Sequence, residues 1–194
     1  MKPPSGVALA MACCLAMSAH TQTRRIAAPA SLEVTLTYSA DRTNGVIGGC
    51  GCFWMNGGRV EANGRLPHGF GLVAEAAAEY ASNINAANEN LGLVTYLFGP
   101  RYTFRNRSRI APFAQFLAGG VHAFDGLFPS AAQSVVNPDA FAFAAGGGIN
   151  VGLSRHLAWR AVQADYLQTQ LPNAGSNRQD HLRVAAGVVF RFSN

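Results

Sequence analysis

The stretch that most constrains the fold is the last one, Asp180 to Phe192, which reads D-H-L-R-V-A-A-G-V-V-F-R-F. Strand side chains alternate between faces. Leu182, Val184, Ala186, Val188, Phe190 and Phe192 therefore share one face, and Arg183, Ala185, Gly187, Val189 and Arg191 share the other. The first face is wholly apolar, and the second spaces two arginines with small residues. A soluble sheet would have to expose the aromatics or bury the arginines without water. A closed sheet with lipid outside and a polar lumen inside satisfies both faces.

Composition fits strands rather than membrane helices. The chain is 49% hydrophobic and 13% charged, with 21 glycines, yet Arg, Glu, Asn or Gln interrupts every later apolar run before it reaches the length of a spanning helix. One unbroken run, Gly6 to Met17, follows Lys2 and precedes Ser18 and Ala19. A basic residue, a short apolar core and a small-residue exit describe a secretory signal peptide, too short to span a bilayer. The expected organisation is a signal peptide at 1–19, a short periplasmic segment at 20–31 and a barrel at 32–194. Cys13 and Cys14 fall in the signal. Removing it leaves about 175 of the 194 residues, one domain's length. The net charge of +5 comes from basic residues that are all arginine except Lys2. These are scattered and lack an aromatic-basic platform, which argues against a nucleic-acid site.

Alternation marks eight strands: Leu32–Ser39, Met55–Gly64, Phe70–Tyr80, Leu93–Phe104, Ile110–His122, Ala140–Leu153, Leu157–Thr169 and Asp180–Phe192. The A-E-A-A-A-E-Y stretch has high helix propensity, but its strict period of two reads as strand. Pro100 cannot donate to a ladder and argues against a central strand there. Three links are short (Arg65–Gly69, Arg105–Arg109, Ser154–His156) and four are long (Ala40–Trp54, Ala81–Gly92, Ala123–Asp139, Gln170–Gln179). Even strand number with alternating short and long links is the pattern of outer-membrane barrels, whose short turns face the periplasm. About 10 residues at ~3.3 Å rise, tilted roughly 40°, span about 25 Å, the height of the apolar band. Tyr38, Tyr80, Tyr96, Tyr102, Phe104, Trp159, Tyr166 and Phe192 lie near strand ends, as interfacial girdles do.

The terminal G-V-V-F-R-F resembles the C-terminal strand of bacterial outer-membrane β-barrels. The stretches L-F-G-P-R-Y, P-F-A-Q-F-L-A-G-G, A-A-G-G-G-I-N-V, L-S-R-H-L-A and R-A-V-Q-A-D-Y-L resemble, in that order, blocks of small outer-membrane β-barrel domain proteins with OmpA-like architecture. The resemblance implies an all-β, eight-stranded antiparallel up-and-down transmembrane β-barrel in the bacterial outer membrane. It further implies that Gly187, Phe190 and Phe192 belong to an assembly signal read by the barrel-assembly machinery. The expected surroundings are outer-membrane lipid, the expected state a monomer, and the expected role structural, adhesive or surface-interacting.

Eight strands enclose a space that side chains fill. The inward positions carry Glu33, Arg59, Glu61, Glu75, Glu79, Arg101, Gln115, Asn150, Gln163, Asp165, Arg183 and Arg191, and buried ions persist only when paired. Glu75, Glu79, Arg101, Asp165 and Arg183 are expected to form a lumen ion network, with Arg101 and Arg183 holding the three carboxylates and Arg101 coupled to Glu75. Glu75 with Glu79 as a general acid/base pair, or Arg101 with Arg183 as an anion filter, are the sharper alternatives. Paired carboxylates are expected in any polar lumen, so no catalytic residue is assigned. His20, His68, His122, His156 and His181 show no metal-ligand spacing, and only Ser154 lies near a histidine, His156, in a turn. No cofactor or metal is expected. Cys50 and Cys52 could close a loop disulfide, although C-x-C forces a small ring. Two functional rivals are a soluble lipocalin-type carrier, which needs an apolar interior, and a membrane-embedded lipid-modifying enzyme.

Overall fold

The computed structural model describes residues 31–44, 52–84, 90–104, 108–125, 127–128, 135–173 and 177–192. The expected signal peptide, nearly all of the 20–31 segment, Cys50, Ser193 and Asn194 lie outside the described residues.

Eight long strands carry the fold: β1 (Leu32–Asn44), β2 (Cys52–Arg65), β3 (Phe70–Ala81), β4 (Leu91–Thr103), β5 (Ile110–Phe124), β8 (Asp139–Gly152), β9 (Leu157–Thr169) and β10 (Gln179–Phe192). Two short strands, β6 (Leu127–Phe128) and β7 (Val135–Val136), form a separate hairpin within the β5–β8 link. The long strands pair with their neighbours in antiparallel ladders. The ring closes where β1 meets β10, in register from Leu32 opposite Phe192 to Thr43 opposite His181. Closure leaves no sheet edge, and every neighbouring pair is sequential except the closing one. The result is an up-and-down barrel.

The A-E-A-A-A-E-Y stretch lies within β3, paired along its length with β2 and β4. Its alternation separates three lipophilic alanines from Glu75 and Glu79, and the two ladders outweigh helix propensity. Pro100 also stays inside a strand. The β4–β5 pairing is interrupted between Phe98 and Arg101, and the same register resumes beyond it, so the missing N–H costs one local link rather than the strand. The β1–β2 hairpin is longer than its apolar pattern suggests. β1 runs on through Asp41, Arg42 and Thr43, and β2 begins at Cys52, because polar residues at the strand tops find cross-strand partners. A 3-10 turn at Pro67–Gly69 joins β2 to β3, with Gly69 at φ 89, a conformation only glycine adopts freely.

The outward positions are apolar along the barrel's height. On β10 they run Leu182, Val184, Ala186, Val188, Phe190 and Phe192, and on β3 Phe70, Leu72, the alanines and Tyr80. Large side chains stand fully out, among them Tyr38 at 65% and Phe98 at 58% exposure. Inside, Arg101, Arg160 and Arg183 are among the most deeply buried side chains of the protein. This burial is inverted with respect to a soluble carrier, which would hold charge outside and apolar surface inside.

The interior has two parts. Met55, Val73, Leu93, Leu97, Leu117, Val121 and Leu167 form an apolar cluster, joined at the top by Phe128 of β6 and Leu171 of the β9–β10 link. The rest of the lumen is polar and ionic.

Candidate functional site: the ionic lumen

The ion network takes its shape from strand register. Glu61 of β2 and Glu75 of β3 stand side by side in the ladder, so two carboxylates meet at one level and need cations from across the barrel. Arg59 donates to Glu75 at 2.7 Å and to Asp165 at 2.9 Å, and lies 3.5 Å from Glu61. Arg183 donates to the other Glu75 oxygen at 3.0 Å. Arg101 donates to Glu61 at 2.7 Å and to Gln115 at 2.9 Å. Arg160 donates to Glu61, to Gln163 at 2.6 Å and to Asn150 at 3.0 Å. Gln163 donates in turn to Asp165 at 2.8 Å. The ring of Phe113 lies under two guanidinium groups, 4.3 Å from Arg101 and 4.7 Å from Arg160.

The five residues expected to form the network all point inward and are buried, but their pairing differs from the expectation. Arg101 binds Glu61, not Glu75. It stands opposite Gly71 in the β3–β4 ladder, four residues along β3 from Glu75, and its guanidinium reaches across the lumen to Glu61 of β2. Glu75 is held by Arg59 and Arg183 instead. Glu79 accepts from Ser39 at 2.9 Å and has no ion pair among the described residues. Arg59 and Glu61, read as inward but left out of the expected network, are its hubs.

Arg160 was missed entirely. Counting back from Gln163 by twos puts it on the lipid face. A bulge in β9 at Ala161–Val162 shifts the register against both β8 and β10, and this extra residue turns Arg160 and Ala158 inward and Trp159 outward. The signal was present: strict alternation would have set an arginine in lipid and a tryptophan in the lumen.

Two smaller clusters close the ends. At the end carrying the short turns and both barrel termini, Glu33 accepts from Asn63, Arg65 and Arg191, each at 3.1 Å. At the opposite end His181 lies 2.9 Å from Asp41, with the Thr43 and Thr169 hydroxyls near its other nitrogen. Polar and charged groups, most of the ions among them paired, thus line the lumen from one end to the other. Chemically, Glu75 and Glu79 are poorly placed for acid/base work, since both are buried and Glu75 is held by two arginines. Ser154 accepts from the backbone of His156 and Leu157. It caps its turn and makes no bond with the imidazole. Among the described residues no three His, Cys, Asp or Glu side chains gather as a metal site. Cys52 is exposed at the start of β2, and the loop disulfide expected with Cys50 falls outside the described residues.

The residues expected to form the assembly signal occupy distinct settings. Gly187 packs so closely on β1 that a Cβ would meet the Leu36 carbonyl oxygen at 2.0 Å, while Phe190 and Phe192 stand outward beside the closing seam.

Solved structures with the same architecture include Neisserial surface protein A, at TM-score 0.63 and 15% identity, covering 83% of this chain and 97% of that one. The attachment invasion locus protein Ail of Yersinia pestis matches at TM-score 0.56 and 15% identity, covering 84% and 99%. The outer membrane protein OprG of Pseudomonas aeruginosa matches at TM-score 0.58 and 10% identity, covering 87% and 98%. The chain has the eight-stranded fold of these outer-membrane barrels. No protein-family model matches the sequence, and no curated protein matches it. At these identities the likeness speaks for fold alone.

Proposed function

We propose that the protein is an integral barrel of a bacterial outer membrane, closed by its own side chains, that serves as a structural, adhesive or surface-interacting module rather than as an enzyme or an open pore. The observation carrying this reading is the inverted burial: a paired ionic lumen inside a wall whose outward face is apolar from Leu182 to Phe192 and from Phe70 to Tyr80. In lipid that arrangement is favourable on both faces, and in water it would expose a band of aromatics far larger than an ordinary apolar patch. Residues 1–19 would direct export, Gly187, Phe190 and Phe192 would be read by the barrel-assembly machinery, and the short turns would face the periplasm. A role at the surface is in keeping with neighbours described as an attachment invasion locus protein and a surface protein.

Cell fractionation with a heat-modifiability gel tests this. The protein is expected in the outer-membrane fraction, migrating faster unheated than boiled. Recovery in the soluble fraction would contradict the membrane placement.

A further inference from the structure

Two shallow grooves mark the outer wall, and both border β1. One, of about 480 Å³, is walled by Leu36 and Val94 over a floor of Gly58, Ala76 and Ala78. The other, of about 250 Å³, lies between Tyr38, Ala40, Ala161, Val162 and Val184, and owes its width to the β9 bulge that sets an extra small residue in the wall. The small side chains that line them let lipid chains settle close to the backbone along these two tracks.

Above them stands Arg42, on the same outward row as Tyr38 and Ala40 and near the top of β1. It is exposed, its guanidinium lies 5.9 Å from the Trp54 ring centre, and it makes no ion pair with a described residue. The carboxylate at this level of the neighbouring strand, Asp180, is already engaged by Arg178 at 2.9 Å and by the Tyr166 hydroxyl. Among the described residues no carboxylate neutralises Arg42, which stands at the height where the apolar wall ends. Trp54, opposite it in the β1–β2 ladder, is an interfacial aromatic.

We propose that this face of the barrel is a lipid site, in which Arg42 binds the anionic phosphate headgroup of an outward-leaflet lipid whose acyl chains lie in the two grooves beside β1. The proposal rests on the membrane placement given above and adds a specific occupant. Apolar tracks alone would fit any chain, and the exposed guanidinium beside Trp54 selects among headgroups. A basic residue at a charged membrane surface contributes about a fivefold preference, equivalent to about 1 kcal/mol.

The chain has two tryptophans, one beside the site and one, Trp159, near the opposite end of the wall. With Trp159→Phe, Trp54 is the sole indole. The protein is reconstituted in dioleoyl phosphatidylcholine vesicles containing rising fractions of dibrominated phosphatidylglycerol or dibrominated phosphatidylcholine, and quenching is read. Trp54 is expected to reach half-quenching at about fivefold lower phosphatidylglycerol than phosphatidylcholine. Arg42→Gln should erase the difference and Arg42→Lys should keep it. Filling the grooves with Ala40→Leu and Ala78→Leu should raise the fraction needed of both lipids. Equal quenching by the two lipids in the native site, or a preference that survives Arg42→Gln, overturns the proposal. Trp159 in a Trp54→Phe chain serves as the insertion reporter and should be quenched equally by both lipids. If neither indole is quenched by either lipid, the membrane placement itself is wrong.

Discussion

At the scale of single residues, the lumen is ordered by which arginine reaches which carboxylate. Removing one member of a buried pair leaves an uncompensated charge, at a cost of ~3 to 5 kcal/mol. Arg101→Met should therefore destabilise strongly, because its guanidinium holds Glu61 at 2.7 Å and also covers Phe113. Adding Glu61→Gln should return part of that loss, whereas Glu75→Gln, linked to Arg101 only through Glu61 and Arg59, should return less. Contacting pairs couple by about 0.5 to 3 kcal/mol and separated ones do not. Urea unfolding in micelles, run as two double-mutant cycles, checks both. Coupling of Arg101 to Glu75 stronger than to Glu61 would mean that the register-based pairing is wrong. The facing of Glu75, Glu79, Arg101, Asp165 and Arg183 was legible from alternation, which reports only in or out. Their partners were not, because pairing depends on the stagger between strands, which alternation alone does not report.

At the scale of the strand, alternation is readable wherever the ladder is regular and fails where one residue is added. The eight strand positions, the strand reading of A-E-A-A-A-E-Y and the termini at one end all follow from period two and link length. The upper parts of β1 and β2 were hidden because Asp41, Arg42 and Thr43 look like loop residues until His181 is seen opposite. The β9 bulge was hidden because period two was carried unbroken through R-A-V-Q, where the lipid-facing Arg160 and lumen-facing Trp159 that this implies were its local sign. This gives a test by deletion. Removing Ala161 deletes the extra residue and leaves Arg160 facing inward, so the chain should still give a heat-modifiable barrel. Removing Ala186 from β10 has no bulge to absorb it and would turn Arg183 and His181 towards lipid, since a one-residue slip flips every side chain beyond it. That chain should fail to fold in liposomes. Equal behaviour of the two deletions would contradict the assigned bulge. Depth along one strand is a second test. Val188→Arg, near mid-height on β10, should impair folding into liposomes by ~2 to 4 kcal/mol, and Leu182→Arg, near the upper rim, by about 0 to 1 kcal/mol. Equal costs would mean that β10 does not cross an apolar band.

At the scale of the whole molecule, the barrel joins two fillings within one wall. A polar and ionic column runs from Glu33 at the short-turn end to His181 at the other, and an apolar cluster, roofed by Phe128 and Leu171, occupies the remainder. Eight strands enclose a bore that side chains can fill completely, and the large inward groups of this chain, four buried arginines with Phe113 and a run of leucines, are of the size that does so. The function proposed above accordingly belongs to the outer wall and the long-loop end rather than to a path through the middle. Single-channel recording from purified, folded protein in planar bilayers tests that closure most directly. The membrane should remain electrically silent apart from brief, irregular noise, whereas steady current steps of uniform size would show an aqueous path through the lumen and contradict the account.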